Sequence, residues 1–147
     1  MKYVIDTSAL IKKAVTTNLL KGKKISGTLI IPHAVIAELE SQGNRGLEIG
    51  FIGLEEIQEI RNDGTLTIEF MGERPTDTQI KYAKAGEIDA IIREIAFKEG
   101  AILITGDKVQ AESGKEFGLE VIFLERETVK EVLTFEKYSE RPGSIRL

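Results

Sequence analysis

The stretch YVIDTSAL, residues 3–10, decides how this chain is read. A short apolar run enriched in β-branched residues stops at Asp6, and Thr7 and Ser8 follow at once. Lys2–Ile5 read as a buried strand, and Thr7 to about Val15 as a helix with Leu10, Ile11 and Ala14 at helical spacing. The strand therefore delivers a carboxylate at its very tip. In open parallel sheets, ligands bind beyond the carboxyl ends of the strands, so Asp6 is a candidate site residue from the outset.

Working outward, "KGKKISG" is a loop and Thr28–Ile31 a second buried strand. Pro32 suits the first position of a helix, where its missing N–H does no harm. That helix carries Val35, Ile36 and Leu39 on one face and ends near Gly43. A further helix covers 46–61 with Phe51, Leu54, Ile57 and Ile60 inward. Its Gly46, Gly50 and Gly53 fit either the close approach of another helix, as in a dimer, or an irregular connection. Leu66–Phe70 alternate as a third strand, and a short helix runs to about Ala85. In "GEIDAIIREIAFKEG", Ile88, Ile91, Ile92 and Ile95 follow the helical rule and Gly100 stops the helix. "AILIT" is a fourth strand, Asp107 caps the next helix, and Val121–Leu124 form a fifth strand. Residues 128–133 form a helical turn or two. Alternation of helices with continuous apolar strands predicts a three-layer α/β/α sandwich around a mainly parallel sheet of about five strands. The domain is expected over residues 1–133, with a tail or linker at 134–147.

Composition bounds the chemistry. A chain of 147 residues with 41% apolar and 30% charged residues suits one ordinary globular domain. No apolar run approaches the roughly 18–20 residues of a membrane helix, and no signal-peptide pattern opens the chain. A cytoplasmic protein without membrane partners is the expectation. There is no cysteine, and the single His33 makes a zinc site or a histidine-based triad improbable. His33 itself reads as a surface residue or a satisfied cap. The net charge of −4 is uneven. Residues 1–27 hold Lys2, Lys12, Lys13, Lys21, Lys23 and Lys24 against Asp6, a balance of +5 that leaves −9 for the remainder. A basic lobe beside an acidic body would guide a phosphate backbone toward a metal. The plainer reading is a solvated helix end and loop.

Four acids fall at the ends of elements. Asp6 ends the first strand, and Asp107 lies just past the fourth. Glu38 sits about six residues into the helix after the second strand, roughly 9 Å along its axis. Asp89 lies in the first turn of the isoleucine-rich helix. Each has a structural explanation: a cap for Asp107, the helix macrodipole for Asp89, free amides for Asp6, solvent for Glu38. Together, four carboxylates at one sheet edge repel unless a counter-charge joins them, and no buried Arg or Lys is obviously placed to supply it. Divalent cations with oxygen ligands would, and Mg²⁺ or Mn²⁺ suits a chain without Cys.

"YVIDTSAL", "IPHAVIAELE", "GEIDAIIREIA" and "ILITGDKVQ" resemble the four motifs of PIN-domain nucleases, in order, over about residues 2–125. The resemblance implies an acidic pocket of Asp6, Glu38, Asp89 and Asp107, with Ser8 and Thr105 steadying the carboxylates or a metal's water. It implies a Mg²⁺- or Mn²⁺-dependent endonuclease of the VapC-like kind, acting on RNA or on single-stranded DNA, with Lys12, Lys13, Lys21, Lys23 and Lys24 as candidates for gripping the backbone. The "VQAESGKEFGLEVIFLE" stretch looks most like the PIN segment of archaeal PIN-ATPase proteins, while antitoxin-paired toxins form the other large group. An antitoxin, a fused ATPase or a second copy are the partners so implied. A catalytically weak nucleic-acid-binding or assembly domain is the alternative. Other strand-end-Asp folds fit poorly: a haloacid-dehalogenase-like site needs a second Asp where Ser8 stands, no receiver-domain acid pair is clear, and "DTSALI" is not a dinucleotide loop. "GDKVQAESGKE" lacks phosphate-loop spacing and has Glu116 where Ser or Thr is required.

Overall fold

The computed structural model describes residues 1–22, 25–83 and 86–124. Lys23, Lys24, the expected helix end at Ala85, the helical turn at 128–133 and the tail at 134–147 lie outside the described residues. Five strands form one sheet: β1 (Lys2–Ile5), β2 (Gly27–Pro32), β3 (Leu66–Met71), β4 (Ile102–Thr105) and β5 (Val121–Phe123). Every pairing is parallel, and the order is β3-β2-β1-β4-β5. The chain winds from β1 out to β3, then returns to add β4 and β5 on the other side of β1. Right-handed crossovers place the helices of these two halves on opposite faces. α1 (Thr7–Ile11), α2 (His33–Asn44) and α3 (Glu48–Asp63) belong to the first half. α4 (Asp77–Tyr82), α5 (Glu87–Glu99) and α6 (Lys108–Glu116) belong to the second.

Burial follows position in the sheet. Val4, Ile5, Leu29, Ile30, Ile31, Leu103 and Ile104 are completely enclosed in the three central strands. They make the continuous apolar runs that a two-sided sheet demands. The edge strand β3 buries only Leu66 fully and alternates thereafter, since one of its flanks meets water. From α5, Ile88 and Ile92 enter the core, whereas Ile91 stays 39% exposed.

Tertiary contacts overrule the expected pattern at three places. The helix expected over Thr7–Val15 ends at Ile11: Lys13 takes a φ of 56°, and a π-helical segment follows at Val15–Leu20. The interruption brings Thr16 to Glu56 of α3, whose fully buried carboxylate accepts from the Thr16 N–H at 2.9 Å and from its hydroxyl at 2.7 Å. Pro32 is the last residue of β2 and caps α2 from outside it, with φ −61° serving either role. Phe51, expected inward, is 54% exposed.

Its place is taken by glycines. α3 is a regular helix, and Gly50 and Gly53 face α2 of the same chain rather than a partner or a loose connection. A Cβ on Gly50 would lie 2.5 Å from the Leu39 carbonyl oxygen and 2.5 Å from the Gly43 nitrogen, both backbone atoms. One on Gly53 would meet a Leu39 methyl at 2.4 Å. Gly46 meets nothing and supplies only a left-handed turn, with φ +80°. The two helices thus touch backbone to backbone, which steadies the helix carrying Glu38. Gly50→Ala should destabilise the protein by about 2 kcal/mol, because backbone cannot yield as a side chain can. Gly53→Ala should cost less, since Leu39 can rotate and alanine gains helix propensity. Urea midpoints of the two variants check the order.

Candidate active site

β1 and β4 are neighbours in space but start opposite halves of the winding, so their carboxyl ends open at the point where the strand order reverses. Asp6 follows β1 and is only 2% exposed. Its backbone N–H still donates to Ile104 of β4, at 2.9 Å. A buried carboxylate needs donors, and β4 and α1 provide them. The Thr105 hydroxyl donates to Asp6 Oδ2 at 2.6 Å and the Ser8 hydroxyl to the same oxygen at 3.1 Å. Ser8 Oγ and Thr105 Oγ1 lie 3.2 Å apart. Each hydroxyl has a single proton, already given to Asp6, so that approach is a contact rather than a third bond. The two oxygens in turn accept backbone N–H groups from the loop beyond β4: Gly106 to Ser8 at 2.8 Å and Asp107 to Thr105 at 3.0 Å. Ser8 and Thr105 therefore tie the Asp6 carboxylate to the loop that presents Asp107.

Asp107 caps α6, its Oδ1 accepting from the Val109 N–H at 2.9 Å. Glu38 is half-buried on α2, and the Thr7 hydroxyl donates to its Oε1 at 2.6 Å. Asp89 is half-buried in the first turn of α5. The charge of Asp89 is felt at both Asp6 and Glu38, and that of Asp107 at Asp89. One edge of the sheet thus collects all four acids.

Electrostatics set their protonation. Burial pushes the Asp6 carboxyl up to about 6; the Asp89 charge adds to this, while Thr105, Ser8 and the Thr7 N–H oppose it. Burial also raises Glu38, opposed by Thr7 and reinforced by Asp89. Asp89 is raised by burial and then by Asp107, with Arg93 pulling the other way. A counter-charge is therefore present, contrary to the sequence expectation, but it is partial. Lys12 is the second nearby cation. Its ammonium donates to the Gly106 carbonyl, and its stem lies where a Gly106 side chain would go, 2.8 Å from an added Cβ. Of the other lysines, Lys13 pairs with Glu59 at 3.4 Å and Lys21 is exposed.

Oxygen donors alone fit a hard dication such as Mg²⁺ or Mn²⁺. Among the described residues, however, no three His, Cys, Asp or Glu side chains are grouped tightly enough to hold an ion between them. The acids are coupled through their charges without being gathered to ligating distance. Two surface cavities, of about 860 and 360 Å³, lie along the outer side of α5, and the four acids line neither.

Several contributors escaped the sequence reading. Thr7 looked like a helix start, yet its hydroxyl holds Glu38. Glu56 had no visible signal beyond its place on a helix face with Gly53 and Ile57. Gln110, fully buried, stands three residues after the Asp107 cap, where the spacing suggests a capping box. Its amide instead reaches α5, donating to the Asp89 carbonyl at 3.1 Å and accepting from Arg93 at 2.6 Å.

The raised Asp6 carboxyl makes stability depend on pH. Folding favours its protonated form, so its contribution is complete below about 3.8 and is lost as pH rises through about 6. In EDTA, Asp6→Asn should exceed the parent by about 3 kcal/mol at pH 8. The gain should shrink toward zero near pH 4. Urea midpoints of both proteins between these limits read the difference.

The comparisons agree with the geometry. The model of the DUF3368 family, a PIN domain, matches residues 2–122. An uncharacterized KH and PIN-domain containing protein of Methanocaldococcus jannaschii is 40% identical over 140 residues, covering 93% of this chain. The chain spans 22% of that relative's length. A solved domain of a functionally unknown protein from the same organism superposes with a TM-score of 0.79 at 36% identity, covering 99% of this chain and 96% of that one. The α/β/α fold, the acids at its switch point and these likenesses converge: the chain belongs to the PIN-domain family.

Proposed function

We infer that the protein is a divalent-metal-dependent endoribonuclease whose site is Asp6, Glu38, Asp89 and Asp107. The observation that carries this reading is the coupling of four acids at one sheet edge, with three carboxyls held above their usual range and only partial compensation from Arg93. These carboxylates would hold Mg²⁺ or Mn²⁺, which supplies Lewis acidity and charge neutralisation at a phosphodiester and its attacking water. Part of that hold would run through water, as is usual for Mg²⁺. The chain's own residues do the positioning. Thr105 and Ser8 fix the Asp6 oxygens, Thr7 fixes Glu38, and the Asp107 cap keeps its carboxylate at the mouth of β4. No side-chain nucleophile is required, in keeping with a chain that has no Cys and one His. Lys12, whose ammonium donates to the Gly106 carbonyl beside Asp107, is suited to a backbone phosphate.

A second reading rests on the company the domain keeps. The relative carries a KH domain, a module that clamps single-stranded RNA, and the present chain matches a fifth of it. A nucleic-acid-docking or assembly domain of a longer protein would use the same lysines without cleavage.

Incubation with single-stranded and structured RNA in Mn²⁺ separates the two. The nuclease should cleave, and Asp6→Asn and Asp107→Asn should each lower the rate about 100-fold or more. Mn²⁺ should also raise the melting temperature, because only the folded chain presents the site. Cleavage that survives both substitutions, or RNA binding without any cleavage, would remove the nuclease reading. The lysines are tested separately: Lys12→Glu with Lys21→Glu should weaken RNA binding and flatten its salt dependence by about two charges.

A further inference from the structure

A fully buried glutamine is uncommon unless both ends of its amide are satisfied. Gln110 meets that condition through one helix alone, bonding the Asp89 carbonyl and the Arg93 guanidinium, both on α5. Arg93 is held from a second side, its guanidinium lying 5.4 Å from the centre of the Phe117 ring just beyond α6. Residues at the start of α6 and just past its end therefore grip the first half of α5.

The grip is placed where the acids need it. Asp107 caps α6 and Gln110 lies in the turn that follows, so the two move together. Asp89 sits on α5, one turn before Arg93. The carboxylates of Asp89 and Asp107 repel each other across the gap between the helices. Left to themselves, like charges on two separate helices drive those helices apart. The bond from Gln110 ends on the backbone of Asp89 itself, and Arg93 brings positive charge to the same turn.

We propose that Gln110 and Arg93 are positioning residues of the acidic site: they lock the first turn of α5 to the start of α6, so that Asp89 and Asp107 meet a divalent cation at a fixed spacing. This inference rests on the metal-dependent reading above and adds to it a structural part that contacts neither metal nor substrate. Gln110 acts through the Asp89 backbone, and Arg93 acts through Gln110 and through its charge.

The test compares Gln110→Met with the parent protein, using Ile60→Ala as a control that is destabilised outside the α5–α6 contact. Ile60 is completely buried in α3, a helix that carries none of the four acids. Mn²⁺ binding is measured by calorimetry at a temperature where every variant is folded, and RNA cleavage is measured at saturating Mn²⁺. Gln110→Met should bind Mn²⁺ about tenfold more weakly and lose about tenfold in kcat, with KM for RNA within about twofold. Ile60→Ala should melt earlier without Mn²⁺ yet keep the parent's Mn²⁺ affinity. Arg93→Lys, which keeps the charge but not the planar fork, should fall between parent and Gln110→Met. Unchanged Mn²⁺ affinity in Gln110→Met would overturn the positioning role and leave the nuclease reading intact. A parent protein that binds no Mn²⁺ would overturn both.

Discussion

A carboxylate buried at the reversal point of the sheet is the constraint around which this protein is arranged. Asp6 is shut away from water, and a charge so placed persists only if donors surround it. Those donors come from both sides of the reversal: Ser8 just after β1, and Thr105 at the end of β4. The bonds that satisfy the charge thus join the two halves of the winding at their tips. The same hydroxyls accept N–H groups from the β4–α6 loop, so the satisfaction of Asp6 and the presentation of Asp107 are one network.

The network does not neutralise the site. Hydrogen bonds hold Asp6 and Glu38 in place, yet burial and the Asp89 charge still lift both carboxyls. Arg93 offsets part of the charge at Asp89, and Lys12 is spent on a carbonyl. What remains is a surplus of negative charge at the edge of a sheet with no nitrogen or sulfur ligand among the acids. Such an edge has the donor chemistry that suits a hard cation. Among the described residues, no three of these carboxylates are drawn together tightly enough to cage an ion by themselves.

Rigidity is supplied one layer out. The glycine-lined crossing of α2 and α3 fixes the helix that carries Glu38, and Glu56 anchors the π-helical segment to α3. Gln110 and Arg93 perform the corresponding task between α5 and α6. Each acid therefore stands on an element braced by a partner element, and most of the braces are polar or backbone contacts rather than apolar packing.

The sequence alone determined the strands, the helices α2, α3, α5 and α6, the parallel α/β/α architecture and the position of four acids at the ends of elements. These are legible because strand and helix periodicity, caps and strand-end position are local properties, and the motifs preserve their order along the chain. Tertiary structure decided the rest. Only the packed chain reveals that the first helix breaks so that Thr16 can reach Glu56, that Gly50 and Gly53 admit α2 while Phe51 turns outward, and that Gln110 abandons a local cap for α5. The glycine contacts span 7 to 14 positions between two helices, and in the other two cases the deciding contact joins residues 17 to 40 positions apart. No window along the chain contains both partners of such a contact, so its energy is invisible until folding brings them together.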